Sequence, residues 1–205
     1  MARWILLNSI FILYLTLNRV GFFFEFSPVE RVYDIYDLIK AFGTGLRFDL
    51  MIIGFINLPI VILFKFSFIR SKFWLWISMW LLITSFIVSL DHSLFFHTGD
   101  RVSYHTLSLP LEAISKRIEF FELGLWFSMA LLFSLSCLLL REKNKANLSF
   151  KDWALIVLLS GFFARGSFGQ HHLDLRHSEV TSDKFLNVVA INSIYSFDQA
   201  YKKRR

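Results

Sequence analysis

Apolar stretches long enough to cross a bilayer recur along most of this chain, and no other feature constrains its fold as strongly. A spanning helix needs roughly 20 mostly apolar residues, rising about 1.5 Å each. Stretches of this kind are expected at about 4–26, 43–64, 73–90, 120–140 and 153–163, and with their connections they use up nearly all of the 205 residues. The mean hydropathy of +0.52 and the 25 phenylalanines belong to a chain solvated by lipid. The sequence therefore predicts an all-α membrane protein, a five-transmembrane-helix bundle with short interfacial helices. The transmembrane domain covers 1–163, and an external juxtamembrane segment with an amphipathic helix covers 164–205.

The first stretch, from Trp4, is read as an uncleaved span: no small-residue cleavage site follows Leu17, and apolar character resumes at Val20. Ser27-Pro28-Val29-Glu30 has the pattern of a capping box and predicts the start of a short helix through Phe42. Its apolar and charged residues suit either a helix lying in the membrane interface or a solvated connector. Residues 110–118 predict a second interfacial helix, and Ser182 is placed to cap a third, running to about Tyr201. Pro59 is tolerated inside a span if neighbouring groups satisfy the carbonyl it frees.

Basic residues near the ends of the spans set the orientation. An amino terminus on the cytoplasmic side gathers Arg3, Lys65, Arg70, Lys72, Arg141, Lys143, Lys145 and Lys151 there, and leaves the carboxyl segment external. The net charge of +6 is accounted for by such clusters, so no nucleic-acid partner is expected. Cys137 is the only cysteine, which excludes a disulfide framework and a thiolate metal site.

Charged side chains within spans are costly and need partners or a polar cavity. Arg19, Arg47 and Asp49 are therefore the first functional candidates. Arg47 and Asp49, two residues apart, point to different sides of a helix, so the partner of Asp49 should come from another span, with Arg19 one option. Two roles stay open: a structural ion pair between helices, or capture of an anionic lipid headgroup by Arg47 or Arg19. The groups Asp91, His92, His97, Asp100, His105 and His171, His172, His177 have no specific metal-ligand spacing, and no metal site is expected.

Several segments taken together resemble one family. These are Gly45-Leu46-Arg47-Phe48-Asp49, Gly99-Asp100-Arg101 with Val102-Ser103-Tyr104, Ala164-Arg165-Gly166-Ser167-Phe168-Gly169, and residues 186–196, where Ser193 stands in place of the family's proline. In this order they are similar to the amino-terminal membrane domain of lipoteichoic acid synthase-like, sulfatase-superfamily phosphoglycerol transferases. The resemblance implies a module that anchors a transferase and presents its phospholipid, with Arg47, Asp49, Asp100, Arg101 and Arg165 as headgroup-binding positions and Arg19 as an intramembrane polar partner. It also implies a bacterial plasma membrane location and a catalytic domain or subunit, in cis after Tyr201 or in trans, carrying a threonine nucleophile and a divalent metal such as Mn or Mg. No catalytic residue and no cofactor is assigned within these 205 residues, which would then be a truncated product, a fragment or a separate partner. A standalone scaffold or small transporter is the rival reading; a transporter should show paired halves or matching broken spans, and only Pro59 interrupts one.

Overall fold

A computed structural model describes residues 2–103, 131–135, 149–166 and 173–204. All regular structure among them is helical. Helix α1 (Ala2–Phe26) is followed by α2 (Ile35–Ile62), a short α3 (Ser67–Ser71) and α4 (Phe73–Thr98). Then come α5 (Phe150–Arg165), α6 (Lys184–Ala190) and α7 (Ser193–Arg204). Three of these helical stretches, Ala2–Phe26, Ile35–Lys65 and Phe73–Thr98, are long and apolar enough to cross a membrane. Of the expected fourth span only 131–135 is described; it is helical, and Phe133 meets the Tyr14 ring edge-on at 5.4 Å. The expected interfacial helix at 110–118 and residues His105, His171 and His172 lie outside the described residues.

Several boundaries differ from the sequence expectation, each for a local reason. The capping box at Ser27 does not open a helix. Ser27 Oγ lies 3.3 Å from the Tyr33 hydroxyl, and Asp34 caps α2 instead by accepting from the Tyr36 amide at 3.2 Å. From that cap the expected interfacial helix and second span run on as one helix. Asp34→Ala should therefore cost about 1 kcal/mol of unfolding free energy in detergent micelles, and Ser27→Ala only a few tenths; an equal loss from both would contradict this assignment of the cap.

Helix α4 continues eight residues beyond the expected end at Leu90 and stops where Gly99 takes the left-handed conformation, φ 70°, with its amide bonded to the Phe95 carbonyl. Asp91, His92 and His97, expected in a loop, are thus helical. The helix expected from Ser182 to about Tyr201 is two helices. Asp183, not Ser182, caps the first by accepting from the Phe185 and Leu186 amides. Asn192 interrupts the run, its Oδ1 accepting from the Ile194 amide at 2.8 Å, the local side-chain bond by which asparagine competes with helix.

The packing centres on α2. Tryptophans of neighbouring helices bond to carbonyls of α2 on either side of Pro59, Trp76 donating to that of Ile56 at 2.9 Å and Trp153 to that of Val61 at 3.1 Å, while the carbonyl that Pro59 itself frees is that of Phe55. A buried asparagine pair joins α1 to α2, Asn57 Nδ2 donating to Asn8 Oδ1 at 2.5 Å. The most extensive contact is between α2 and α5, where Gly54 meets the backbone at Ala164, and the small residues Ser160 and Ala164 are buried. Helix α5 has 16 residues, a length of about 24 Å against the roughly 30 Å hydrocarbon core. It starts beside Val61, and Gly166, which ends it, lies against Met51, near the middle of α2. The tail after α5 folds back onto the long helices, α6 against α2 and α1, and α7 against α4 and α2.

Candidate functional site

Two buried ion pairs meet at the turn between α6 and α7. On one side Arg19 of α1 reaches Asp49 of α2 at 2.6 Å and also donates to the carbonyls of Gly45 at 2.9 Å and Val189 at 2.5 Å. Asn192 Nδ2 donates to the same Asp49 oxygen at 2.5 Å. A Cβ at position 45 would occupy the space of the Arg19 guanidinium, so a larger residue there would push that side-chain end away from Asp49. On the other side Asp91 of α4 pairs with Arg101, which folds back over the end of α4, and the second Asp91 oxygen accepts from the Val102 amide at 2.9 Å. Arg101 also donates to the Ser193 hydroxyl at 2.9 Å and sits over the Phe22 ring, 3.8 Å from its centroid. Burial pushes the Arg101 guanidinium below its ordinary value, and the Asp91 carboxylate opposes that shift.

The structure thus brings Arg19 to Asp49, and both to the tail. It brings Arg101 to Asp91, a partner that the sequence places in a loop. Arg47 is half-buried, and Asp100 is exposed at the end of α4, where its amide donates to Thr98 Oγ1 at 3.3 Å. Ser193 opens α7, a position that suits proline well. Its hydroxyl supplies a contact to Arg101 that proline could not. Glu25 lies 3.4 Å from His92 Nδ1 and extends the polar line toward the carboxyl end of α1. The space left between these groups is about 20 Å³, room for about one water. Among the described residues no three His, Cys, Asp or Glu side chains are grouped to hold a metal ion.

Arg165 belongs to a different feature, a cavity of about 610 Å³ beside the carboxyl end of the short α5. One wall is apolar, made by Met51, Ile52, Phe55 and Ile56 of α2 with Trp80 of α4. Polar groups line it elsewhere: Arg165, Asp174, and from α7 Asp198, Gln199 and Lys202. Tyr195 is at the junction, its hydroxyl donating to the Leu173 carbonyl at 3.3 Å. Burial, and then the charges of Asp174 and Asp198, push this phenol up to about 12. The sequence singles out Arg165 but not its acidic neighbours: Asp174 precedes the helix expected from Ser182, and Asp198 is one of several charges on that helix.

A chain whose described residues form helices, three of them able to cross a membrane, with a buried charge network and an amphiphilic cavity, is the class of protein this fold defines. No family model, curated protein or solved structure matches it.

Proposed function

We propose that this chain is a five-span membrane module that binds a phospholipid and presents it to a phosphoglycerol (or related phospho-alcohol) transferase of the sulfatase-superfamily kind, supplied in cis or in trans. The single observation that carries the lipid-binding reading is the 610 Å³ cavity, whose apolar wall suits an acyl chain and whose charged groups suit a headgroup. The volume falls in the range of small-molecule sites, and the cavity lies at the carboxyl end of the short α5, where Ala164 and Arg165 line it. The transferase connection rests on the sequence resemblance. Five spans follow if α5 and the stretch around 131–135 join the three long helices, with the amino terminus cytoplasmic, the tail external and a bacterial plasma membrane as the site.

Native mass spectrometry of the purified chain, released from a detergent chosen to keep annular lipid off, tests the lipid-binding reading. Retention of phospholipid is expected at about one molecule per chain, and Arg165→Ala should lower that retention about tenfold, the loss of one charge-assisted hydrogen bond to phosphate. A chain that emerges free of lipid under conditions that preserve its fold overturns the reading.

A further inference from the structure

We infer that the cavity selects a zwitterionic phospholipid carrying a primary amine, a headgroup with one phosphate and one ammonium, over a net-anionic phospholipid. This rests on the lipid-binding reading above and narrows it: of the headgroups named there it favours the related phospho-alcohol, one bearing an amine, over phosphoglycerol, whose lipid is net anionic.

The inference stands on the charges around the cavity. Two cations, Arg165 and Lys202, and two carboxylates, Asp174 and Asp198, line it, so their formal charges sum to zero. Lys202 Nζ already lies 2.5 Å from Asp198 Oδ2. An anionic headgroup entering here would gain the two cations but would be set close to two carboxylates in a partly desolvated space, where like-charge contact is costly. A zwitterion meets both signs: its phosphate pairs with the guanidinium and ammonium, while its own ammonium, with three N–H donors, pairs with the carboxylates.

Two further observations agree. The negative field of Asp174 and Asp198 reaches the cavity-lining Tyr195 hydroxyl, which is held up to about 12 by burial and then by those two charges. The two carboxylates therefore act together at this hydroxyl, on the side of the cavity where a headgroup ammonium would be favoured. The other charged cluster offers no competing headgroup site: Arg19 and Arg101 are buried, paired with the buried Asp49 and Asp91, and line a space of only about 20 Å³.

The test is competition for the full chain in nanodiscs made of equal parts phosphatidylethanolamine and phosphatidylglycerol with matched acyl chains, followed by release and counting of retained lipid. Enrichment of phosphatidylethanolamine by about tenfold is expected. The double variant Asp174→Asn/Asp198→Asn changes the sum of these four charges from 0 to +2 and should reverse the preference toward phosphatidylglycerol. Lys202→Gln, which leaves one cation against two carboxylates, should weaken retention of both lipids while keeping the order. Thermal unfolding of each variant shows whether the fold is intact, and the side chains of Asp198 and Lys202 are exposed enough for substitution to leave it so. Retention of both lipids without preference, or a preference that the double variant leaves unchanged, overturns the inference while leaving lipid binding standing. Retention of neither lipid by the folded chain overturns both.

Discussion

Asp49→Ala is expected to destabilise the helical assembly by about 3–5 kcal/mol, the usual consequence of removing one partner from a buried ion pair. The carboxylate is fully buried, and it is the counter-charge of Arg19, itself 5% exposed. Without it, Arg19 keeps the neutral carbonyls of Gly45 and Val189, which satisfy hydrogen bonds but not charge. Asn192 loses its acceptor at the same time. Both losses fall on the turn joining α6 and α7, so the damage should be read most clearly in the tail. Limited proteolysis of the variant in micelles is expected to cleave within 184–204 well before the long helices are attacked, and denaturant titration should register the loss of stability.

The pair itself contributes less than its removal costs, because both charges lost their hydration when they were buried. Arg19→Met combined with Asp49→Leu should therefore recover part of the stability lost in Asp49→Ala, while leaving the tail as easily cleaved as in the single variant, since Asn192 still lacks a partner. Recovery of tail protection in the double variant would show that apolar packing, and not the Asp49 to Asn192 bond, holds the tail down.

How far the sequence carries this picture depends on the range of the interaction. Charge inside an apolar run is a local signal that marks Arg19 and Asp49 directly; the requirement that Asp49 find its partner on another helix follows from residue spacing alone. Asp91 carries the same kind of signal but reads as the end of a span, because hydropathy marks where apolar character stops and not where the helix stops. The end of α4 is written instead in Gly99, whose positive φ closes a helix that has already turned polar. The break at Asn192 is hidden for a different reason. Its apolar flanks, Val188, Val189, Ile191 and Ile194, keep a helical rhythm, and only the competition of the asparagine side chain for the Ile194 amide interrupts it. The cavity is the least legible feature, since its lining is assembled from α2, α4, the end of α5, Asp174 and α7, which are remote from one another in sequence.

Gly54→Leu is expected to cost about 3 kcal/mol or more and to abolish the cavity's lipid retention together with stability. Within a helix, glycine is about 1 kcal/mol worse than alanine, and leucine is close to alanine, so propensity alone would make leucine at position 54 favourable. The opposing effect is steric. A Cβ on Gly54 would overlap the backbone nitrogen and Cα of Ala164 and the carbonyl carbon of Phe163, and backbone atoms cannot rotate aside as a side-chain tip can. The only relief is to move α5 away from α2, across the most extensive helix contact in the described structure. Overpacking of this kind typically costs about 1–3 kcal/mol for a small addition, and a leucine adds about three further carbons in the same direction. Gly43 supplies the control: it lies on the same helix, and a Cβ added to it would meet nothing within 4 Å, so Gly43→Ala should be neutral or stabilising by up to about 1 kcal/mol. Because Ala164 and Arg165 end α5 at the cavity, displacing that helix moves a charged group away from the α2 wall, and lipid retention should fall with the α2 to α5 contact. If Gly54→Leu is as stable as the wild type and keeps its lipid, α5 does not pack against α2 as described, and the cavity between them does not exist in the membrane.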